Sequence, residues 1–301
     1  MKGLILSLFL LVTLSLSAQQ TIESCGTESV HNRFLQNPNN LQKHNPVEQL
    51  IYNAAQNGML QPSGRADYVL PVVVHIIHNG GSENISDVQA IQAIDYLNQA
   101  YRNTSLYDST VGVDTRIQFC LAKQNPQGQS TSGINRVQSS LTDLDMANDL
   151  QMKNLVRWNP NCYVNIWVVK SICSQGSCNI GGYAYFPSAH GGNVDGMVVR
   201  ASTMGSTPAA TGTLIHEAGH YLGLYHTFQG GCSAQGDLVT DTPAERSPNF
   251  GCPTQNPDSC ANMSGVDPIH NYMDYSYDGC YTEFSAGQSA RMQEHMKAYR
   301  F

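Results

Sequence analysis

The chain has 301 residues, 41% of them hydrophobic and 13% charged, and its formal net charge is -7 at pH 7. This length is sufficient to bury a core and to form one large domain or two. The negative charge and the absence of lysine- or arginine-rich clusters argue against nucleic acid and anionic membranes as partners.

Residues 1–18 have the features of a secretory signal peptide. A lysine precedes an almost wholly apolar run at residues 4–16, and two small residues follow that run. The run is too short to span a bilayer comfortably, and no cysteine follows it for lipid attachment. We therefore expect an exported protein without a membrane anchor.

A change in composition near residue 64 predicts a domain boundary. Residues 19–64 are polar and are broken by Asn, Gln and Pro, and Gln61–Gly64 reads as a linker. A dense apolar strand at Tyr68–Ile77 follows at once. We interpret residues 19–64 as a pro-segment that contributes little to the core, and residues 65–301 as the mature domain.

The mature region predicts an α+β fold, with a twisted sheet and backing helices followed by an irregular lower part. Strands are expected at Thr115–Ala122, Tyr163–Ile172, Gly182–Phe186 and Gly196–Ala201, and helices at Ser86–Tyr101, Asp143–Val156, from near Ala209, and from Ser285 to about Tyr299. The stretch between the last two helices is rich in Gly, Pro, Cys and Asp. Disulfides and bound metals are therefore expected to hold the lower part.

One motif, His216-Glu217-x-x-His220-x-x-Gly223-x-x-His226, predicts a catalytic zinc site. The first two histidines are four residues apart and so lie on one face of a helix. Gly223 can adopt positive φ and turn the chain, which brings His226 back as a third ligand. Three imidazoles and one open position are typical of catalytic zinc, with Glu217 placed to act on a water molecule.

Met273 and Tyr275 lie about 50 residues beyond this motif, in the sequence Asn271-Tyr-Met-Asp-Tyr275. Beside a complete zinc motif, Met273 is predicted to form the Met-turn beneath the metal. The Tyr275 hydroxyl could stabilise the oxyanion of a tetrahedral intermediate. A packed surface tyrosine is the alternative interpretation of Tyr275.

The zinc motif and the Met-turn together resemble those of the pappalysin family of metzincins, close to its small secreted archaeal and bacterial members. The resemblance extends from about Val69 to Phe301. It implies an upper subdomain with a five-stranded sheet, a cleft, an irregular lower subdomain and an endopeptidase activity. In that case Gly182–Phe186 would be the edge strand to which an extended peptide substrate adds in antiparallel orientation.

The resemblance also implies a substrate preference and a latency device. Asp278 would lie at the base of the S1′ pocket and select Arg or Lys there. Such an enzyme could cut its own Gly64–Arg65 bond. Cys25 would act as a cysteine switch that occupies the fourth position on zinc. A solvated loop aspartate and an unpaired or intermolecularly bridged cysteine are the respective alternatives.

Calcium and disulfides would stabilise the lower part if the resemblance holds. The calcium ligands would come from Asp237, Thr240, Asp241, Thr242 and Glu245. The implied disulfides are Cys232–Cys260 and Cys252–Cys280, with Cys173–Cys178 as a local loop and Cys120–Cys162 left by elimination among the nine cysteines.

The sequence thus predicts a monomeric, exported zinc endopeptidase made as a zymogen. Three alternatives remain: a metzincin of another specificity, such as an astacin- or adamalysin-like enzyme; an inactive zinc-containing protein that binds peptides; and a disulfide-rich structural module. Only a catalytic protein needs both Glu217 and a pro-segment.

Overall fold

The computed structural model describes residues 24–60, 67–205, 207–277 and 279–300. The signal peptide, the Gly64–Arg65 bond and Asp278 lie outside the described residues. The helices are α1 (Thr27–Leu35), α2 (Pro38–Gln56), α3 (Asp87–Tyr101), α4 (Asp149–Lys153), α5 (Gly212–Tyr221) and α6 (Ala286–Tyr299). The strands are β1 (Ser24–Cys25), β2 (Tyr68–His78), β3 (Ile117–Leu121), β4 (Ile134–Gln138), β5 (Asp143–Asp145), β6 (Val164–Val169), β7 (Ser171–Cys173), β8 (Ile180–Ala184) and β9 (Met197–Arg200).

The main sheet has the order β1-β8-β9-β6-β2, and β3 and β4 both pair with the far edge of β2. β3 pairs with the first half of β2 and β4 with the second half. The mature region therefore provides five strand positions across the sheet, as the resemblance implies. β1, from the predicted pro-segment, adds one more strand beside β8.

Both faces of this sheet are buried, which explains why most residues of β2, β6 and β9 are apolar. In β2, Val72, Val74 and Ile76 point into the core shared with α3 and α5. Ile77 points to the opposite face, where Trp167 and the β5–β7 pair pack. The sheet thus holds α5 in a fixed position against β8, the strand that lies along the cleft.

The helix expected at Asp143–Val156 is largely wrong. Residues 143–145 form β5 instead, and only the five residues of α4 are α-helical. Leu144 and Met146 are buried whereas Asp143 and Asp145 are exposed, and this alternation is a strand period. The Asp145 carboxylate then accepts a hydrogen bond from the Ala147 amide, which ends the strand.

Residues 24–60 contribute more to the core than their polar composition predicts. α1 packs beside β8, where Val30 is fully buried. α2 packs against α6 and buries Ile51. Its first turn is stabilised by the Asn37 side chain, which accepts the Asn39 amide, and by Pro38 at the first helical position. None of the helices among the described residues is long and apolar enough to cross a membrane.

Three of the four expected disulfides are present: Cys173–Cys178, Cys232–Cys260 and Cys252–Cys280. The predicted Cys120–Cys162 bond is wrong, because both residues are free thiols. Cys120 lies on β3 and Cys162 just before β6, and these strands flank β2 on opposite sides. Two strands that share a neighbour are about 9.5 Å apart, whereas disulfide-bonded Cα atoms are rarely more than 7 Å apart.

Between α5 and α6 the described residues form turns and isolated bridges. The two long-range disulfides of the chain lie in this stretch. α6 then begins with a capping box, in which the Ser285 hydroxyl accepts the Gln288 amide and the Gln288 side chain accepts the Ser285 amide. This lower part brings the Met-turn beneath α5.

Candidate metal centre

The three predicted histidines converge on one point. His216 and His220 lie one turn apart on α5, and the chain then turns at Gly223, which has φ of 100°. His226 returns to the same place, and Nε2 of His220 lies 3.1 Å from Nε2 of both other histidines. Nitrogens at this separation can all lie at the roughly 2.0–2.1 Å that zinc–imidazole bonds require.

Hydrogen bonds at the other ring nitrogens fix the orientation of two of these imidazoles. Nδ1 of His216 lies 2.7 Å from the Tyr272 carbonyl oxygen, and Nδ1 of His220 lies 2.7 Å from that of Leu224. A carbonyl can only accept, so each Nδ1 carries the proton and each Nε2 presents a lone pair. The donor set therefore fits a zinc ion.

Burial keeps these imidazoles neutral. It lowers the pKa of His216 to about 4, against a hydrogen bond to Tyr272 that raises it. Burial also lowers the pKa of His220 and His226, and the neighbouring histidines lower both further. Three neutral nitrogens with converging lone pairs repel one another unless a cation lies between them, which again favours a metal.

Gly223 permits the turn between the second and third ligands. A Cβ at this position would lie 2.2 Å from Cδ2 of His295, and the positive φ would be strained. We expect Gly223→Ala to cost about 1–3 kcal/mol through backbone strain, plus the clash with His295, and to lower zinc content. Thermal unfolding and metal analysis would measure both effects.

Gly128→Ala is the matched control, because Gly128 also has positive φ but has no atom within 4 Å of the added Cβ. It should lose stability without losing zinc. A Gly223→Ala protein with normal zinc content and an unchanged melting temperature would contradict this role of Gly223.

Met273 forms the floor beneath the zinc helix. It is fully buried, and a Cβ built on Gly219 of α5 would lie 2.4 Å from its sulfur atom. The Asn271 side chain accepts the Met273 amide, and the Met273 carbonyl accepts the Thr227 amide. The turn therefore holds α5 and the chain after His226 in one arrangement, which is the position expected of a Met-turn.

Glu217 points into the same centre and is completely buried. Its Oε2 accepts a 2.8 Å hydrogen bond from the Thr27 hydroxyl, while Oε1 has no partner among the described residues. Burial raises the pKa of Glu217 to about 7, although hydrogen bonds from Thr27 and Cys25 oppose this shift. Gly182 of β8 permits the close approach, since a Cβ there would lie 2.8 Å from Cγ of Glu217.

Tyr275 lies beside His216 and His226. Its hydroxyl oxygen is 3.3 Å from Nε2 of His226, and its ring packs edge-on against that imidazole and against Phe228. Burial raises the pKa of Tyr275, followed by the nearby Cys25 and Glu217, so the phenol stays protonated and can donate a hydrogen bond. This position favours a role at the centre over that of a packed surface tyrosine.

Cys25 lies at the end of β1 and also reaches the centre. Its sulfur and the three histidine nitrogens all lie within 4.8 Å of one another. The Thr27 amide lies 3.4 Å from this sulfur, and burial together with the Glu217 carboxylate raises the pKa of the thiol. A bound cation would reverse that shift and favour the thiolate. Cys25 is therefore placed as a fourth metal ligand.

The carboxylates of Asp237, Asp241 and Glu245 do not form a three-residue metal-binding group in the described part of the chain. Asp237 and Glu245 are buried, whereas Thr240 and Asp241 are exposed. Asp241 accepts hydrogen bonds from the Ser285 hydroxyl and the Gly287 amide at the start of α6. The Thr242 hydroxyl donates to Asp237. Asp241 therefore stabilises the start of α6.

No role at this centre was predicted for Thr27, whose hydroxyl donates to Glu217. It lies in the Cys25-Gly26-Thr27 string, so proximity to Cys25 was the available signal. Its hydroxyl also accepts the Ala184 amide of β8, at 2.8 Å. Phe186 ends the segment predicted as the substrate-binding edge strand, whereas no role was predicted for Tyr225, which lines the same cavity, because nothing in its spacing marks it.

Comparisons with known proteins agree with this geometry. The peptidase family model described as Pregnancy-associated plasma protein-A matches residues 146–297. An extracellular metalloprotease of Pyricularia oryzae is 35% identical over 257 residues, covering 82% of this chain and 81% of that protein. One from Verticillium alfalfae is 45% identical over 166 residues, covering 51% of this chain and 56% of that protein, so the chain spans about half of that relative.

Two solved structures are similar over most of their length. A promirolysin mutant of Tannerella forsythia is 30% identical with a TM-score of 0.75, covering 92% of this chain and 95% of that chain. Mature mirolysin of the same organism, in complex with a cleaved peptide, is 32% identical with a TM-score of 0.67, covering 79% of this chain and 97% of that chain. With three converging imidazoles, a buried glutamate beside them and a Met-turn below, the chain belongs to the pappalysin family of metzincins and is a zinc metalloendopeptidase.

Proposed function

We propose that this protein is exported as a zymogen, cleaves peptide bonds before Arg or Lys, and matures by cutting its own Gly64–Arg65 bond. One observation carries the proposal. Cys25 and Thr27 of the N-terminal segment lie at the metal centre and at Glu217 respectively, where a substrate and water must enter. The relatives from fungi that are named extracellular metalloproteases support export.

Each residue of the centre has a chemical task in peptide hydrolysis. His216, His220 and His226 would hold a zinc ion, which would supply Lewis-acid polarisation of the scissile carbonyl and of water. Glu217 accepts a proton from the attacking water and passes it to the leaving amine. Tyr275 donates its hydroxyl proton to the oxyanion in a hydrogen bond.

The N-terminal segment occupies the edge that a substrate needs. β1 runs parallel to β8, and the Gly26 amide donates to the Gly182 carbonyl at 2.9 Å. A substrate on the same edge would run antiparallel to β8, so the segment passes through the cleft in the opposite direction. The peptide bonds of residues 24–26 are then not presented to Glu217 as those of a substrate would be, so the segment is not cut there while it blocks the site.

The similarity to solved structures supports a boundary near residue 65. The promirolysin mutant covers 92% of this chain, and mature mirolysin covers 79%. Residues 65–301 are also 79% of this chain, the share that the match to mature mirolysin covers. We propose that residues 19–64 are released as the pro-segment.

We propose that Asp278 selects the residue after the scissile bond. A carboxylate at the base of the S1′ pocket would pair with the guanidinium of Arg or the ammonium of Lys. Peptides that differ only at this position should be cut at least about tenfold faster with Arg than with Leu, and Asp278→Asn should remove most of that difference. Mass spectrometry of the products would identify every cut.

The neighbouring exposed residue Tyr277 provides a control, since Tyr277→Phe leaves the Asp278 charge unchanged. Cuts before apolar residues would contradict the role of Asp278 and leave a metzincin of another specificity. A protein that binds zinc and loses its pro-segment but cuts nothing would instead be the inactive peptide-binding protein.

We also propose that the lower part binds calcium through its buried carboxylates. Burial raises the pKa of Asp237 to about 7, and its Oδ2 has no partner among the described residues. Burial raises the pKa of Glu245 to about 8, with Asp274 nearby adding to the shift. Carboxylates that are costly to ionise alone are stabilised by a hard divalent cation.

A further inference from the structure

A buried ion pair joins the N-terminal segment to the last helix, outside the metal centre. The Glu48 carboxylate on α2 pairs with the Arg291 guanidinium on α6, and the side chain of Arg291 is only 1% exposed. Nε2 of His295 lies 3.2 Å from the other oxygen of Glu48. Burial alone would raise the pKa of Glu48, but the neighbouring charges, Arg291 above all, lower it to about 2. The carboxylate is therefore ionised and matched to a cation.

Besides Glu48, two groups of the mature domain hold Arg291 in place. Its Nε donates a 2.8 Å hydrogen bond to the Gly223 carbonyl, and its guanidinium lies 5.3 Å from the centre of the Tyr225 ring. One terminal nitrogen has no hydrogen-bond partner among the described residues. When the N-terminal segment leaves, Arg291 keeps these two supports and loses its carboxylate.

The position of Arg291 places it on one side of the cleft. Tyr225 directly precedes the metal ligand His226, and its ring lies 4.9 Å from that of Phe186, just beyond β8. Phe186 and Tyr225 line a cavity that α1 covers. A substrate that runs antiparallel to β8 carries the residues before its scissile bond past Ala184 towards Phe186. Arg291 packs against Tyr225 and therefore lies next to the side of the cleft that those substrate residues would face.

We infer that removal of the N-terminal segment turns the Arg291 site into a substrate subsite for an acidic side chain, located several residues before the scissile bond. Glu48 then occupies, before processing, the position that an Asp or Glu side chain of the substrate would take beside Arg291. His295 adds no competing charge, since burial lowers its pKa to about 3 and leaves the ring neutral near pH 7. A Lys or Arg at the same substrate position would meet an unpaired guanidinium and bind poorly. This inference rests on the proposed function, because it requires the segment to leave and a peptide to take its place.

The test uses processed wild-type enzyme and peptides with Arg after the scissile bond. Glu, Gln or Lys is placed in turn at the second to fifth residue before that bond. We expect Glu to raise kcat/KM about tenfold over Gln at one of these positions, mainly through a lower KM, and Lys to lower it. Arg291→Gln should remove the difference between Glu and Gln.

Lys297→Gln is the matched control, because Lys297 is a half-exposed cation on the same helix that pairs only with Glu294 in the described structure. It should retain the preference for Glu. The wild-type profile is decisive even if Arg291→Gln fails to fold. Equal cleavage of the Glu and Gln peptides at every position overturns this inference alone, whereas cleavage of none of them contradicts the proposed function as well.

Discussion

Replacing Glu217 by alanine should lower peptide hydrolysis by about a thousandfold or more while leaving zinc bound. Glu217 lies beside the first ligand on α5, but its carboxylate points to Thr27 and not to a histidine. General-base catalysis contributes typically about 10²- to 10⁴-fold to a rate, and here the same group also delivers the proton to the leaving amine. Steady-state kinetics and metal analysis on the same preparations would measure both quantities.

Glu294→Ala is the control for this experiment. Glu294 lies on α6, is partly exposed, pairs with Lys297 and is not among the residues grouped at the metal centre. Its replacement should leave kcat, KM and zinc content unchanged. A Glu217→Ala enzyme with near wild-type kcat would show that another group accepts the proton, and one that lost its zinc would show that Glu217 acts as a ligand.

Replacing Cys25 by alanine should give the uncleaved protein measurable activity. The experiment uses an Arg65→Ala background, which removes the proposed cleavage site. Cys25 is placed as the fourth ligand, so its loss opens that position to water and substrate. We expect activity to rise roughly tenfold or more, which corresponds to a loss of about 1.4 kcal/mol in binding of the segment. Hydrolysis of a short peptide by the intact chain would measure the rise.

Thr27 should add to this effect, because its hydroxyl binds both Glu217 and the Ala184 amide. A hydrogen bond to a charged group contributes about 1.5–3 kcal/mol, so Thr27→Val in the same background should raise activity further. Cys162→Ala serves as the control, since Cys162 is an exposed free thiol away from the centre. An intact Cys25→Ala chain that stays as inactive as its parent would contradict the cysteine switch.

The zinc centre was predictable from sequence because its geometry is local. Two ligands one helical turn apart and a glycine that permits the return of a third fix the arrangement within eleven residues. The carbonyl groups of Tyr272 and Leu224, which orient the imidazoles, carry no sequence signal, since every residue has one. Their positions depend on how the lower part folds beneath α5.

Long-range pairing explains most of what the sequence did not reveal. The elimination that left Cys120 and Cys162 as partners ignored β2, which lies between them. The segment of residues 24–60 has a polar composition, yet Glu48 and Thr27 are buried because each finds a partner about 190 residues or more away, Arg291 and Glu217. Polar residues of this kind are buried only through tertiary contacts, and local patterns do not record those contacts.

The most direct test of the proposed zymogen is to measure activation of the purified full-length protein over time. Samples would be taken for peptidase activity and for N-terminal sequencing, with Glu217→Ala in parallel. We expect wild-type activity to appear in step with a new N-terminus at Arg65, and the Glu217→Ala chain to be neither processed nor active. Full activity before any processing would contradict the zymogen, and processing of Glu217→Ala at the wild-type rate would show that the cut is not its own.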